Sequence, residues 1–118
     1  MYSGIGIDIV SINRIKKIYQ QFGEKFLLKI GIEDKNLKID EIAGLFAAKE
    51  AGFKALKPVK DFFNPKEVVI IKRRGGAPVL FYKGNLKKRW KFLGKPRIMV
   101  SISHEKDFAI ALVLLQKK

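Results

Sequence analysis

Residues 4–10, GIGIDIV, alternate along the chain: Ile5, Ile7 and Ile9 fall on one side, and Gly4, Gly6, Asp8 and Val10 on the other. That two-residue period predicts a strand, and a carboxylate beside a glycine on its second side is unusual. Ser11 or Asn13 supplies a helix cap. A short helix is expected over 13–22, with Ile15, Ile18, Tyr19 and Phe22 on its apolar side. Residues 23–39 are lysine-rich and irregular, with a short helix around 24–30. The strongest helical period covers 41–56, EIAGLFAAKEAGFKAL, where Ile42, Leu45, Phe46, Phe53 and Leu56 form an apolar stripe. Ala43, Ala47, Glu50 and Lys54 form a second stripe, small first and then charged. Asp40 is the expected cap and Pro58 the expected stop. An interior glycine costs about 1 kcal/mol against alanine, so Gly52 marks close packing or an approaching ligand.

After a linker over 59–65, apolar runs at 68–72 and 78–82 predict two strands joined by Arg73-Arg74-Gly75-Gly76. Residues 83–97 hold seven basic side chains and no acidic one. The runs 98–103 and 108–115 predict a hairpin across His104-Glu105-Lys106-Asp107, and the unbroken apolar stretch from 109 to 115 predicts a central strand. Strand, helices, then strands indicate an α+β class: one domain over 1–118, with a mainly antiparallel sheet packed by a long central helix.

Length and composition sharpen this picture. The 118 residues are 47% hydrophobic and 31% charged, enough apolar material for a core and too much for a disordered chain. A chain this short buries only about two-thirds of its unfolded surface, so oligomerisation would help it. Twenty-five Lys and Arg against 11 Asp and Glu leave a formal charge of +14, which attracts polyanions or acidic proteins. The absence of cysteine removes disulfide scaffolds, thiolate metal sites and cysteine nucleophiles. The opening residues lack a basic n-region and a cleavage site, and no run is long enough for a membrane span. A cytoplasmic protein with no membrane contact is the expectation.

Asp8 on a strand, Glu50 and Lys54 at i,i+4 on a helix, and the single His104 at a hairpin are the candidates for chemistry. If the first strand packs on the helix, Asp8 and Glu50 converge. Two oxygen donors suit Mg²⁺, with water and phosphate oxygens filling the other positions. A lysine one turn away can neutralise a leaving phosphate. Each residue also has an ordinary reading. Glu50–Lys54 is then a solvated ion pair, Asp8 a strand-end carboxylate, His104 a polar turn residue, and Gly75-Gly76 a tight turn.

Three motifs taken together resemble the holo-[acyl-carrier-protein] synthase family of bacterial-type 4′-phosphopantetheinyl transferases. They are Gly4-Ile5-Gly6-Ile7-Asp8-Ile9-Val10 with Arg14-Ile15, Phe46-Ala47-Ala48-Lys49-Glu50-Ala51 with Lys54-Ala55-Leu56, and Ser101-Ile102-Ser103-His104-Glu105 with Ala109 and Ala111. Gly76-Ala77-Pro78 is similar to the Gly-Lys-Pro turn that lies between the last two. The resemblance spans nearly the whole chain. It implies transfer of the phosphopantetheine arm of coenzyme A to a serine of an acidic apo acyl carrier protein, with release of adenosine 3′,5′-bisphosphate. It implies a homotrimer with active sites between subunits. By the same carry-over, Asp8 and Glu50 bind Mg²⁺, Glu50 helps remove the serine proton, and Lys54 meets the departing phosphate. Ser103, His104, Gly76 and Pro78 contact coenzyme A, and Arg14 docks the carrier protein. The chain departs from the family pattern at Leu45, where arginine is usual, at Gly52, where an aromatic is common, and at Ala77, where lysine is usual. The Lys57-Pro58-Val59 stretch lacks the usual glycine-rich turn.

A rival reading is a small nucleic-acid-binding protein, with Lys87–Phe92 as a basic patch carrying Trp90 and Phe92. It leaves Asp8, Glu50 and the 101–105 motif without a role, so no nucleic-acid partner is expected.

Overall fold

In chain order the elements are β1 (Gly4–Ser11), α1 (Ile12–Phe22), α2 (Glu24–Ile30), α3 (Ile39–Ala55), β2 (Val68–Lys72), β3 (Pro78–Tyr82), α4 (Gly84–Phe92), β4 (Arg97–His104) and β5 (Phe108–Gln116). A single 3-10 turn occupies Pro65–Glu67. The structure is a computed structural model and describes residues 2–57 and 63–118. Pro58 and the linker residues 59–62 lie outside the described residues. The α+β class stands, and each predicted strand and helix is present. The basic block adds one element that its pattern did not announce, helix α4.

The strands form two sheets rather than one. β1, β5 and β4 make an antiparallel sheet with β5 in the middle, and β2 and β3 form a separate antiparallel hairpin. The hairpin closes as expected at Arg73–Gly76, where Gly76 N–H donates to Arg73 C=O at 2.8 Å and Gly76 has φ +91°. The register of the larger sheet sets Asp8 opposite Ala111, and Ala111 opposite Ile102.

β5 is central, yet its apolar run serves two different faces. Ala109, Ala111, Val113 and Leu115 are buried, whereas Phe108, Ile110, Leu112 and Leu114 alternate outward. The same holds for β1, where Gly4, Gly6, Asp8 and Val10 face inward and Ile5, Ile7 and Ile9 are exposed. The inner face of this sheet is the one covered by α3.

Helix α3 meets the sheet through its small residues. Ala43, Gly44, Ala47, Ala48, Ala51, Gly52 and Ala55 are all buried, as are Ile42 and Leu56, whereas Leu45, Phe46 and Phe53 of the larger stripe remain partly exposed. Small side chains let the helix backbone approach β1 closely. A Cβ on Gly4 or Gly6 would run into the carbonyl oxygens of Ala55 or Ala51. Gly52 answers to packing: a Cβ there would lie 3.0 Å from Leu80 Cδ1 and 3.1 Å from Val68 Cγ1.

The helix ends are held by side chains. Ser11, not Asn13, caps α1, its Oγ accepting from Arg14 N–H at 3.2 Å. Asp40 is not the cap of α3. The N-cap is Lys38, whose N–H donates to Glu41 at 3.1 Å, and Asp40 sits in the first turn. At the other end, the orphan carbonyls expected of any helix C-terminus find donors in β3, in α4 and in Tyr2 just before β1. Tyr82 O–H donates to Gly52 C=O at 2.7 Å, and Tyr2 O–H to Ala55 C=O at 2.6 Å. Arg89 donates to Leu56 C=O at 3.3 Å and Lys57 C=O at 3.1 Å. Among the described residues, no helix is long and apolar enough to cross a membrane.

Candidate active site

The glycine-lined approach of β1 to α3 brings Asp8 against the charged end of the helix's small-residue face. Only 9% of Asp8 is exposed, and Lys54 Nζ donates to its Oδ1 at 2.9 Å and to Ile7 C=O at 3.3 Å. Asp8 Oδ2 is buried and has no hydrogen-bond partner. Glu50 stands one helical turn before Lys54 and meets the same carboxylate. Burial first, and then the neighbouring Asp8 carboxylate, push the Glu50 carboxyl up to about 7, while Lys54 and Arg14 pull the other way. Four predicted residues, Asp8, Glu50, Lys54 and Arg14, thus share one neighbourhood.

The remaining candidates lie elsewhere. His104 Nδ1 is 3.7 Å from Asp40 Oδ2, in the first turn of α3. With Ile12, Lys38 and Lys106 the two line an open depression of about 570 Å³. Ser103 pairs with outward-facing Ile110, so it lies on the opposite sheet face from Ile102, which packs on Gly44 of α3. Gly76 and Pro78 belong to the β2–β3 tip, where Lys72, paired with Pro78, reaches Glu41 at 3.6 Å. At 1.5 Å rise per residue, Asp40 and Glu41 are about 20 Å along α3 from Lys54. The chain therefore divides the predicted residues into a carboxylate–lysine end and a histidine–turn end.

Lys49 is a residue that pattern reasoning passed over. It is buried, and its Nζ donates to Val68 C=O at 2.6 Å and Pro65 C=O at 3.0 Å, tying α3 to the start of β2. Burial, helped by the nearby Lys83 charge, lowers its pKa to about 8. The available signal was a lysine that follows Ala47-Ala48 and stands one turn before Gly52. Leu45, which replaces a usual arginine, lines a cavity of about 760 Å³ with Leu37, Ile71, Lys72 and Phe81. In the basic patch, Trp90 is partly buried and its Nε1 donates to Pro96 C=O at 2.8 Å, which leaves Phe92 as the exposed aromatic of the pair.

The donor set at Asp8 fits a hard divalent cation. It offers oxygens only, one of them buried without a partner, beside a second carboxyl whose ionisation the first opposes.

The chain matches the 4′-phosphopantetheinyl transferase superfamily model over residues 4–113. It is similar to the holo-[acyl-carrier-protein] synthase of Campylobacter hominis, with 43% identity over 122 residues that cover 95% of this chain and 96% of the relative. The enzyme of the same name from Halothermothrix orenii is 40% identical over 121 residues, 97% of each chain. The crystal structure of Helicobacter pylori holo-[acyl-carrier-protein] synthase in complex with coenzyme A has a TM-score of 0.79 at 34% identity, covering 95% of this chain and 99% of that one. The Neisseria meningitidis holo-[acyl-carrier-protein] synthase gives a TM-score of 0.81 at 30% identity, covering 97% and 98%. With its motifs, its fold and these likenesses in agreement, the chain belongs to the 4′-phosphopantetheinyl transferase superfamily and, within it, to the holo-[acyl-carrier-protein] synthase family.

Proposed function

We propose that Asp8 and Glu50 hold Mg²⁺ against the pyrophosphate of coenzyme A and that Lys54 meets the departing phosphate. The reaction is the family's: the 4′-phosphopantetheine arm of coenzyme A moves to a serine of apo acyl carrier protein, and adenosine 3′,5′-bisphosphate leaves. The observation that carries the assignment of residues is the convergence of Asp8, Glu50 and Lys54, with Asp8 Oδ2 buried and free. When bound, the ion withdraws negative charge from the phosphoryl oxygens.

Glu50 accepts the proton of the carrier serine, directly or through a water, from its place beside Asp8 and one turn before Lys54. The serine oxygen bonds to the phosphorus that carries the pantetheine, and the bond from that phosphorus to the bridging oxygen breaks. The electron pair leaves on the nucleotide phosphate, and Lys54 offers it charge or a proton. Arg14 lies on the α1 surface close enough for its charge to reach Glu50, and it meets the acidic carrier protein there.

The assembly is a homotrimer. Ile5, Ile7, Ile9, Ile110, Leu112 and Leu114 form an exposed apolar sheet face of a kind that monomers seldom leave uncovered. The division of the site along α3 supports the same reading. His104, Ser103 and the Gly76–Pro78 turn contact coenzyme A from one subunit, while Asp8, Glu50 and Lys54 act from its neighbour.

Mass spectrometry of apo carrier protein incubated with the protein, coenzyme A and Mg²⁺ tests this reading. A carrier that gains one phosphopantetheine only when metal and Glu50 are both present supports it. The same gain in excess EDTA, or with Glu50→Ala, overturns the metal assignment.

A further inference from the structure

Helix α4 presents a surface that the transfer chemistry leaves unused. Its inward side is filled by buried Leu86 and by Trp90, whose Nε1 is tied to Pro96 C=O. Its outward side carries Lys87, Lys88, Lys91 and Phe92, and Phe92 is 81% exposed. Glu67, the carboxylate that touches this helix, sits at its far end and accepts from Asn85 N–H at 3.0 Å.

The exposed ring makes one contact that restrains it. The Arg89 guanidinium lies 5.8 Å from the Phe92 ring centroid, a cation–π contact. The same guanidinium is bound to Leu56 C=O and Lys57 C=O, just past the end of α3. A chain of contacts thus links Phe92 to the end of the helix that carries Glu50 and Lys54. A partly restrained aromatic loses less freedom on docking than an unrestrained one. An aromatic anchor with a charged rim is also the make-up of an interface hot spot.

We infer that Phe92, with Lys88 and Lys91, forms a second docking surface for the acidic carrier protein, separate from Arg14; this rests on the transferase reading above. The block 83–97, with seven cations and no carboxylate, supplies the charge complementarity. A single free aromatic is a poor stacking platform for single-stranded nucleic acid, which uses successive rings. The apolar face of α4 is turned inward, so the helix has no such face to lay into a bilayer.

The test compares Phe92→Ser with the double variant Lys88→Glu/Lys91→Glu, which keeps the Arg89–Phe92 contact. In steady-state transfer assays, each raises KM for the carrier by about tenfold and moves KM for coenzyme A by less than about twofold. The effect of the charge reversal shrinks at high salt. Amide signals of α4 in the isotope-labelled wild-type protein shift when apo carrier is added. Unchanged carrier KM in both variants, or shifts confined to α1, overturns this surface and leaves the transferase reading intact. Wild-type protein that binds carrier through α4 but transfers nothing supports the surface and overturns the transferase reading. Wild-type protein that neither binds nor transfers removes both. Strongly salt-dependent binding of an RNA oligomer at α4, without any carrier effect, overturns the surface in favour of nucleic acid.

Discussion

Lys54 Nζ stands 2.9 Å from Asp8 Oδ1, while Asp8 Oδ2 remains buried with no partner. The lysine satisfies one oxygen of the carboxylate and leaves the other without a partner, with the Glu50 carboxyl in the same neighbourhood. Asp8→Ala and Glu50→Ala are each expected to lower Mg²⁺-dependent kcat by about 100- to 1,000-fold, the usual loss when one charge-stabilising group is removed. Circular dichroism should show an unchanged fold. Near-wild-type turnover in either variant removes that residue from the site.

The Glu50 carboxyl rises from its ordinary 4.5 to about 7 on folding. Between those values the folded state binds more protons than the unfolded one, so stability falls as pH rises. Glu50 thus favours folding fully below pH 4.5, and that contribution is lost as the pH climbs through about 7. In EDTA, Tm is expected to drop across this window, and Glu50→Gln should flatten the drop. A Glu50→Gln profile that parallels wild type contradicts the assignment.

Gly6 faces Ala51 C=O so closely that no Cβ fits without moving the α3 backbone. Gly6→Ala is expected to destabilise the protein by about 3 kcal/mol, the upper end of overpacking costs. Urea denaturation measures this, and a loss below about 1 kcal/mol would show that α3 yields easily.

Ile7 lies in the middle of the exposed apolar sheet face, between Ile5 and Ile9. Ile7→Asp is expected to convert a trimer to monomers in analytical ultracentrifugation and to abolish transfer, since the site would lose its neighbour. A monomeric, fully active variant would refute a site shared between subunits.

Arg14→Ala should raise KM for the carrier by about tenfold and leave KM for coenzyme A nearly unchanged. Equal rises in both would assign Arg14 to the nucleotide instead.

Elements were legible wherever period and turn chemistry agreed. The β2 and β3 runs have the residues predicted, and Ser11 is one of the two caps named for α1. The α3 stripe was harder to read, because burial there follows close approach rather than side-chain size. Ala47 and Ala51 are fully buried while Phe46 and Phe53 are not. Alternation announced the two faces of β1, and the unbroken apolar run announced β5 as central, but neither could say that the more hydrophobic face is the uncovered one. That outcome depends on which face α3 takes, and the two strand glycines decide it. Asp8, Glu50 and Lys54 could be nominated from spacing and family likeness. The Asp40–His104 pair and the Lys49 anchor are contacts between distant segments, which no local pattern encodes.

The order of the sheet constrains how the chain folds. β5, the last strand in sequence, lies between β1 and β4, so β1 has no strand partner until Phe108 and its successors are in place opposite Ser11 and its predecessors. Such long-range pairing slows folding, because the loop must close before any contact rewards it. The final strand completes the backbone pairing that holds Asp8 on the inner face, with Ala111 opposite it, so a chain ending before residue 108 would hold every carboxylate of the proposed metal site and lack the strand that braces them.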